Sequence, residues 1–461
     1  MRNDSRRTRK GTRVIGSNRL SRNCILVVLL LLPLLAPIIS KAADGDLSTF
    51  DLANGLKIYA VEKHSSPIAS VEVWYRTGSL DERPGIRGLS HLFEHMMFRG
   101  SEHFGPGEHF RRINQVGGTN GAYTSEDVTV YHQVVPVSAV DLVMEMEADR
   151  MARLNLGEEV LKTEVEVVKE EYRVTFENNP RNKILDHFCR QYFGDHPYIY
   201  DVIGVMEDLD TVSVATCLAY YESRYAPNNA TLIIAGDVEP EQVLKMAEHH
   251  FGSISPRDSI APDPPPPAPL PPQALYGKNY LGIPFAGVAY RLPPAGHPDI
   301  LALEFLLRTL SDGLWYNLTI KSSLCVAAEV KRDFFRQASV VWITCDHLPG
   351  VSQEDVLSAI DGQIAGLVAQ PFAPWEIEQT RNYMLLGETL GRARVAEITS
   401  GLGDALFRAG DLERYTRRIE QIEALTPEIL LEIARRYLVP ENRTELVIEP
   451  ENPSPQPGDG E

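Results

Sequence analysis

The chain has 461 residues, with 45 basic against 63 acidic side chains, a net charge of −18 and 43 % hydrophobic residues. That length exceeds one ordinary core, and the acidic balance excludes a nucleic-acid partner, which calls for a basic face. Five cysteines without a C-x-x-C pair give no sign of a cysteine-held metal or a redox motif.

Eight Lys or Arg precede residue 24, followed by 15 residues of apolar run from Ile25 to Ile39 and the small residues Ser40 and Ala42. This order reads as a signal peptide over residues 1–42, directing export to the periplasm or beyond the cell. A stable membrane anchor is not expected, because the run is interrupted by Pro33 and Pro37 and falls short of the about 20 apolar residues that span a bilayer. Without this segment the balance becomes 36 basic against 62 acidic, a net charge of −26.

VWYR, Val73 to Arg76, lies in an apolar run that predicts a strand. The run HLFEH, His91 to His95, follows on a predicted helix. At about 100° per residue, Glu94 and His95 stand three and four places beyond His91, so all three share one face. Two imidazoles suit a zinc ion, and the intervening glutamate is placed to handle a proton. With this composition H-x-x-[DE]-H is expected by chance only about 0.04 times, so the motif carries information but needs a third ligand.

The stretch Gly117 to Pro136 combines glycines, alternating Val128 and Val130, and a terminal proline, which suit a strand at a sheet edge. Such an edge can pair with the backbone of an extended peptide. Next, Leu161 to Arg181 reads as a charged helix in which Glu164 and Glu171 are seven apart, within about 20° of one another. Glu171 is a candidate third ligand, with Glu164 one or two turns away to support the ligand shell. By spacing alone Glu170 serves as well.

Residues 256–273, PRDSIAPDPPPPAPLPPQ, form neither helix nor central strand and predict a stiff, extended connector. It separates a metal-bearing domain, 43–255, from a second domain, 274–450, before a disordered tail, 451–461. The halves repeat one plan. VAYR, Val288 to Arg291, answers VWYR, and YLVPENRTELVIEP, Tyr437 to Pro450, answers YAPNNATLIIAG, Tyr225 to Gly236. A duplicated α+β domain follows, each copy a mostly antiparallel sheet packed with helices. In place of HLFEH the second copy has ILALEFLL, Ile300 to Leu307, without histidine. Strands at Leu324 to Glu329 and Ser339 to Cys345, around a turn near Asp333 to Gln337, predict Cys325 opposite Cys345; Cys189 and Cys217 are the remaining exported cysteines.

HLFEH, the pair Glu164 and Glu171, HPYIYDVIG from His196 to Gly204 and YAPNNATLIIAGDV from Tyr225 to Val238 together resemble the insulinase (pitrilysin) family of zinc metallopeptidases, in the HxxEH or inverzincin arrangement. The likeness covers about residues 47 to 450, and its size and duplicated plan look like the short bacterial members similar to the mitochondrial processing peptidase. It implies a clamshell of two homologous domains and one zinc per chain held by His91, His95 and Glu171, favouring Glu171 over Glu170. It also implies Glu94 as general base, Glu164 in support, and a peptide-binding strand at Asn120, Gly121, Ala122, Tyr123 and Thr124. Gly121 stands where asparagine is common in the family.

The implied activity is that of an exported zinc-dependent endopeptidase that cleaves short or unfolded peptides through a water activated by zinc and Glu94. The alternative is a non-catalytic structural or assembly subunit, disfavoured by the intact His91, Glu94, His95 and Glu171. In the family an arginine and a tyrosine seven residues apart assist at the substrate oxygen. Here Thr319 and Val326 occupy those places, and Arg408 and Tyr415 have the spacing in another region. The expected partner is therefore a homologous subunit without HxxEH that supplies the pair, making this chain the catalytic subunit of a two-subunit enzyme.

Overall fold

A computed structural model describes residues 47–199, 201–257, 263–267, 274–278, 284–370 and 372–449. The expected signal peptide, the tail and most of the connector lie outside them. The first half builds a six-stranded sheet from β1 (Leu47–Asp51), β2 (Lys57–Glu62), β3 (Ile68–Tyr75), β4 (Thr119–Thr124), β5 (Thr129–Pro136) and β6 (Ala230–Gly236), in the order β1-β2-β6-β3-β5-β4. Only β2 and β6 run parallel. All of β6 and nearly all of β3 is buried, because these central strands are covered on both faces; hence their unbroken apolar runs.

The second half repeats this order one strand short. Strands β7 (Ala274–Lys278), β8 (Phe285–Leu292), β9 (Cys325–Phe334), β10 (Ser339–His347) and β11 (Arg443–Glu449) stand as β7-β11-β8-β10-β9, again with one parallel pair, β7 with β11. They match β2 to β6 place for place, so the sequence repeats mark equivalent strands: VWYR ends β3 as VAYR lies in β8, and β6 corresponds to β11.

Twelve helices of eight or more residues stand among the described residues. Those of the first half are α1 (Leu89–Met96), α2 (Glu108–Gln115), α3 (Val140–Ala152), α4 (Glu158–Tyr172), α5 (Pro180–Phe193), α6 (Val214–Arg224) and α7 (Pro240–Phe251). The second half has α8 (Ile300–Leu314), α9 (Gln353–Ala369), α10 (Pro374–Arg392), α11 (Val395–Asp404) and α12 (Pro427–Tyr437). Helices α1, α3, α4, α6 and α7 pack on one face of the first sheet and form its main core. Helix α8, the counterpart of α1, buries Ile300 to Leu303 and Phe305 to Leu307, and carries no ligand.

The halves are less independent than the connector suggests. Helix α11, from the second half, covers the other face of the first sheet, with Val395, Ile398 and Leu402 against Trp74, Val130 and Ile233. Reciprocally, α5 of the first half sets Ile184, Phe188 and Tyr192 against Leu275, Phe285 and Trp342 of the second sheet. Each sheet thus completes its burial with a helix from the other half, and the described residues belong to one compact unit. Close approach is possible because Gly403 has no side chain; a Cβ there would lie 2.0 Å from the Trp74 ring. Polar groups fix the same contact: the Thr399 hydroxyl donates to Glu72 Oε1 at 2.7 Å, and Trp74 Nε1 donates to Glu72 Oε2 at 2.7 Å. Part of the connector is also tied to both halves, since Asp263 accepts from Arg76 at 3.1 Å and from Arg336 at 2.9 Å.

Two strand expectations need correction. Strand β9 runs on to Phe334, so the turn is shorter than predicted, and Cys345 stands opposite Ala328 while Cys325 pairs with His347. The four described cysteines are unbridged in this structure.

Candidate metal centre

The geometry of α1 begins with how its start is held. Gly88, before the first turn, has φ 92°, and a Cβ there would lie 2.3 Å from the Ile203 carbonyl oxygen. Gly204, the last residue of HPYIYDVIG, has φ 83°, and its own added Cβ would lie 2.3 Å from the Gly88 nitrogen. Two backbones meet where only glycine fits. The buried Glu82 carboxylate accepts from the Gly88 and Ser90 amides, each at 2.6 Å, satisfying donors that a helix start leaves open. Burial pushes the Glu82 carboxyl up to about 7. Asp208 accepts from the Gly85 and Arg87 amides at 2.8 and 3.0 Å and fixes the preceding turn.

Leu89, Leu92, Phe93 and Met96 point from α1 into the core, which turns His91, Glu94 and His95 toward α4 and β4. Helix α4 buries Leu161, Val165 and Val168, so Glu164 and Glu171 are presented to α1. Glu171 Oε2 lies 3.7 Å from His91 Nε2 and 3.6 Å from His95 Nε2. These atoms form the one group of His, Cys, Asp or Glu among the described residues able to hold a metal, all within 4.8 Å of one another. Zinc with bonds of about 2.0–2.1 Å has ligand atoms about 3.3 Å apart when tetrahedral, so the Glu171 oxygen stands near that spacing from each histidine nitrogen, while the widest separation in the group must shorten on binding.

Burial, and secondly the charge of His95, lower the His91 pKa to about 4, so its imidazole is neutral and able to bind a metal. Glu164 Oε2 lies 3.6 Å from His95 Nδ1, on the side away from Glu171. Its Oε1 is gripped by Arg99 Nε at 2.6 Å. This arrangement orients the ring and favours a proton on Nδ1, leaving Nε2 as a ligand atom. Glu170, the spacing alternative, pairs outward with Arg173 at 2.9 Å.

Glu94 does not join the ligand group. Its Oε2 accepts from the Thr124 hydroxyl at 2.7 Å, and burial raises its pKa while that hydrogen bond opposes the rise. Thr124, on the strand expected to bind peptide, sets its side chain against Glu94. Strand β4 ends the first sheet, paired only with β5, so its other backbone edge is open among the described residues. Alternation turns Ala122 and Thr124 toward α1 and turns Tyr123 to the opposite face, edge-on to Trp74 with centroids 6.1 Å apart. The Tyr123 side chain is thus directed away from the metal cluster. Asn120 Nδ2 is buried and has no partner. Opposite Gly121 stands His132, and a Cβ at 121 would lie 2.8 Å from its Nε2. The imidazole fills the space a larger residue would need.

Arg408 pairs with Asp404 at 3.3 Å, and the Tyr415 ring lies 4.9 Å beneath the Arg392 guanidinium. Both Tyr415 and Phe407, the neighbour of Arg408, pack in the layer on the far face of the first sheet. Thr319 has a buried hydroxyl without a partner, and Val326 is 65 % exposed.

The ordered neighbours of α1, namely Glu82, Arg99 and the glycine pair, were not read from sequence. Glu82 lies six residues before Gly88, beyond the usual capping spacing, and a contact between two glycines 116 residues apart leaves no local pattern.

Two histidines and a distant glutamate converging from two helices, beside a separately held glutamate, make a donor set of the kind that holds zinc in hydrolases. The chain belongs to the insulinase family of peptidases (family M16): the insulinase model matches residues 57–204, and the model of the M16 inactive domain matches residues 211–384. Among its relatives, the zinc protease PqqE of Helicobacter pylori is 25 % identical over 409 residues, 87 % of this chain and 92 % of PqqE. An uncharacterized zinc protease of Mycobacterium leprae is 26 % identical over 399 residues, 84 % and 88 % of the two chains. A crystal structure of a protease from Helicobacter pylori superposes with a TM-score of 0.83 at 23 % identity, covering 88 % of this chain and all of that one. The first half of the periplasmic protease PqqL from Escherichia coli gives a TM-score of 0.73 at 17 % identity, covering 88 % and 92 %.

Proposed function

We propose that this chain is a zinc-dependent endopeptidase acting on short or unfolded peptides, with His91, His95 and Glu171 as the metal ligands and Glu94 as the general base. One observation carries the reading: three donor atoms converge within 4.8 Å, while Glu94, between two of them in sequence, is held apart by Thr124. Zinc in such a site supplies Lewis acidity, lowering the pKa of water and polarising a carbonyl. The protein supplies the rest. Glu94, its carboxyl raised by burial, takes the proton from the attacking water at a carboxylate oxygen and returns it to the departing amine. Glu164, anchored by Arg99, fixes the ring of His95. The open edge of β4 accepts the extended substrate backbone at Asn120 to Thr124, by strand addition rather than by side-chain selection.

Export through residues 1–42 belongs to the same reading. It is supported by the basic, apolar and small-residue order of that segment and by the fold likeness to a protease described as periplasmic. No helix among the described residues is long and apolar enough to cross a membrane.

The site is completed, in this reading, by a homologous subunit that donates an arginine and a tyrosine. Thr319 and Val326 offer neither group, and the layer holding Phe407 and Tyr415 is separated from Glu94 by the sheet. The alternative of an assembly subunit without catalysis gains nothing from this geometry, since a scaffold has no use for a glutamate poised beside a metal.

Hydrolysis of an unfolded peptide by zinc-loaded wild type and by Glu94→Gln tests the proposal. The expected result is equal zinc content with activity lost in the variant; full activity in Glu94→Gln overturns it. If the isolated wild type is as fast as its mixture with a metal-free homologous subunit, the two-subunit reading fails while the peptidase reading stands.

A further inference from the structure

We propose that Cys325 and Cys345 are a disulfide-forming pair, closed when the chain folds under oxidising conditions. Strict alternation along β9 would put Cys325 and Ala328 on opposite faces of the sheet. The ladder is not strict: Asp346 pairs with Ala327 and His347 with Cys325, leaving Val326 as an extra, outward-facing residue. One added residue inverts the faces that follow it. The bulge therefore turns Cys325 to the side of Ala328 and Val330, where it joins Val341, Ile343 and Cys345 in the core of the second half. There the two side chains enter one core from neighbouring strands, Cys345 standing two places along β10 from His347, the ladder partner of Cys325. Both are buried, at 2 % and 0 % exposure.

The chemistry is thiol–disulfide exchange. With glutathione disulfide as oxidant, one cysteine thiolate attacks a glutathione sulfur, the glutathione S–S bond breaks and a mixed disulfide forms. The second cysteine thiolate then attacks the mixed disulfide at the protein sulfur, making the Cys325–Cys345 bond and releasing the second glutathione. The two cysteines give up two electrons and two protons, which appear as two molecules of reduced glutathione. Because the folded core shields both sulfurs, closure belongs to the stage when β9 docks on β10, and the finished bond is sheltered from small reductants. Cys189 on α5 and Cys217 on α6 lie in different clusters and have no such neighbour among the described thiols.

The test is thiol mapping on full-length chain, reduced, unfolded and refolded in a buffer of oxidised and reduced glutathione. The soluble, folded fraction is denatured in acid, alkylated and mapped by peptide mass. The expected result is a cross-linked pair of peptides containing Cys325 and Cys345, two hydrogens lighter than the two thiols together, with Cys189 and Cys217 alkylated. The same bridge is expected in Cys189→Ser/Cys217→Ser. Alkylation of both Cys325 and Cys345 in the folded fraction, or a bridge from either to Cys189 or Cys217, overturns the proposal. The readout is independent of zinc and of peptide cleavage, so it stands or falls apart from the peptidase reading.

Discussion

The Thr124 hydroxyl donates to Glu94 Oε2 at 2.7 Å, joining the edge strand of the first sheet to the glutamate between the two histidines. In the proposed mechanism the contact couples the edge that would receive a peptide to the general base. It also restrains the rise in Glu94 pKa that burial produces. Replacing Thr124 with valine keeps the shape and removes the donor. The expected outcome is a fall in kcat of about tenfold with zinc content unchanged. Steady-state kinetics with metal analysis checks it; unchanged kcat would mean that Glu94 is held by packing alone.

Glu171 and Glu164 lie on one face of α4 but meet the histidines differently, Glu171 at the Nε2 atoms and Glu164 at His95 Nδ1. Glu171→Gln is expected to abolish stable zinc binding, whereas Glu164→Gln should weaken it by about 10- to 100-fold and leave a measurable site. Competition with a zinc chelator ranks the two. Equal affinities in both variants would remove the distinction between ligand and support.

Gly121 and His132 form a complementary pair, since a Cβ at 121 would sit 2.8 Å from His132 Nε2. Gly121→Asn alone is expected to destabilise the chain by about 1–3 kcal/mol through overpacking at the β4 edge. Combining it with His132→Ala should recover most of that loss. Chemical denaturation of the two variants measures the difference, and additive losses would show that the residues do not compete for space.

Glu72 links the halves through Thr399, and burial pushes its carboxyl up to about 7 from the ordinary 4.5. The folded state therefore keeps a proton that the unfolded chain releases, so this contribution is fully present below pH 4.5 and is lost as pH rises through 7. The loss amounts to about 3 kcal/mol at most. Glu72→Gln should flatten the fall in stability across that window, as read from denaturation midpoints at a series of pH values. An unchanged slope would place the titration elsewhere, as on the similarly buried Glu82.

HLFEH and the glutamate pair were legible in the sequence because a helix converts spacing into a shared face, and α1 and α4 are regular helices. The duplication was legible because β3 and β8, or β6 and β11, carry the same buried runs. What sequence spacing does not carry is contact across the chain. The exchange of α5 and α11 between the halves, Gly88 against Gly204, and Thr124 against Glu94 all depend on how the elements pack. The face on which Cys325 lies was hidden for a related reason: a single extra residue at Val326 overrides the alternation from which strand faces are read.

X-ray absorption at the zinc edge of the metal-loaded chain tests the central claim most directly. The account predicts two imidazole nitrogens and at least one carboxylate oxygen at about 2.0–2.1 Å, and loss of the imidazole signature in a His91→Ala/His95→Ala variant. A zinc shell containing sulfur, or one that survives that double substitution, would contradict it.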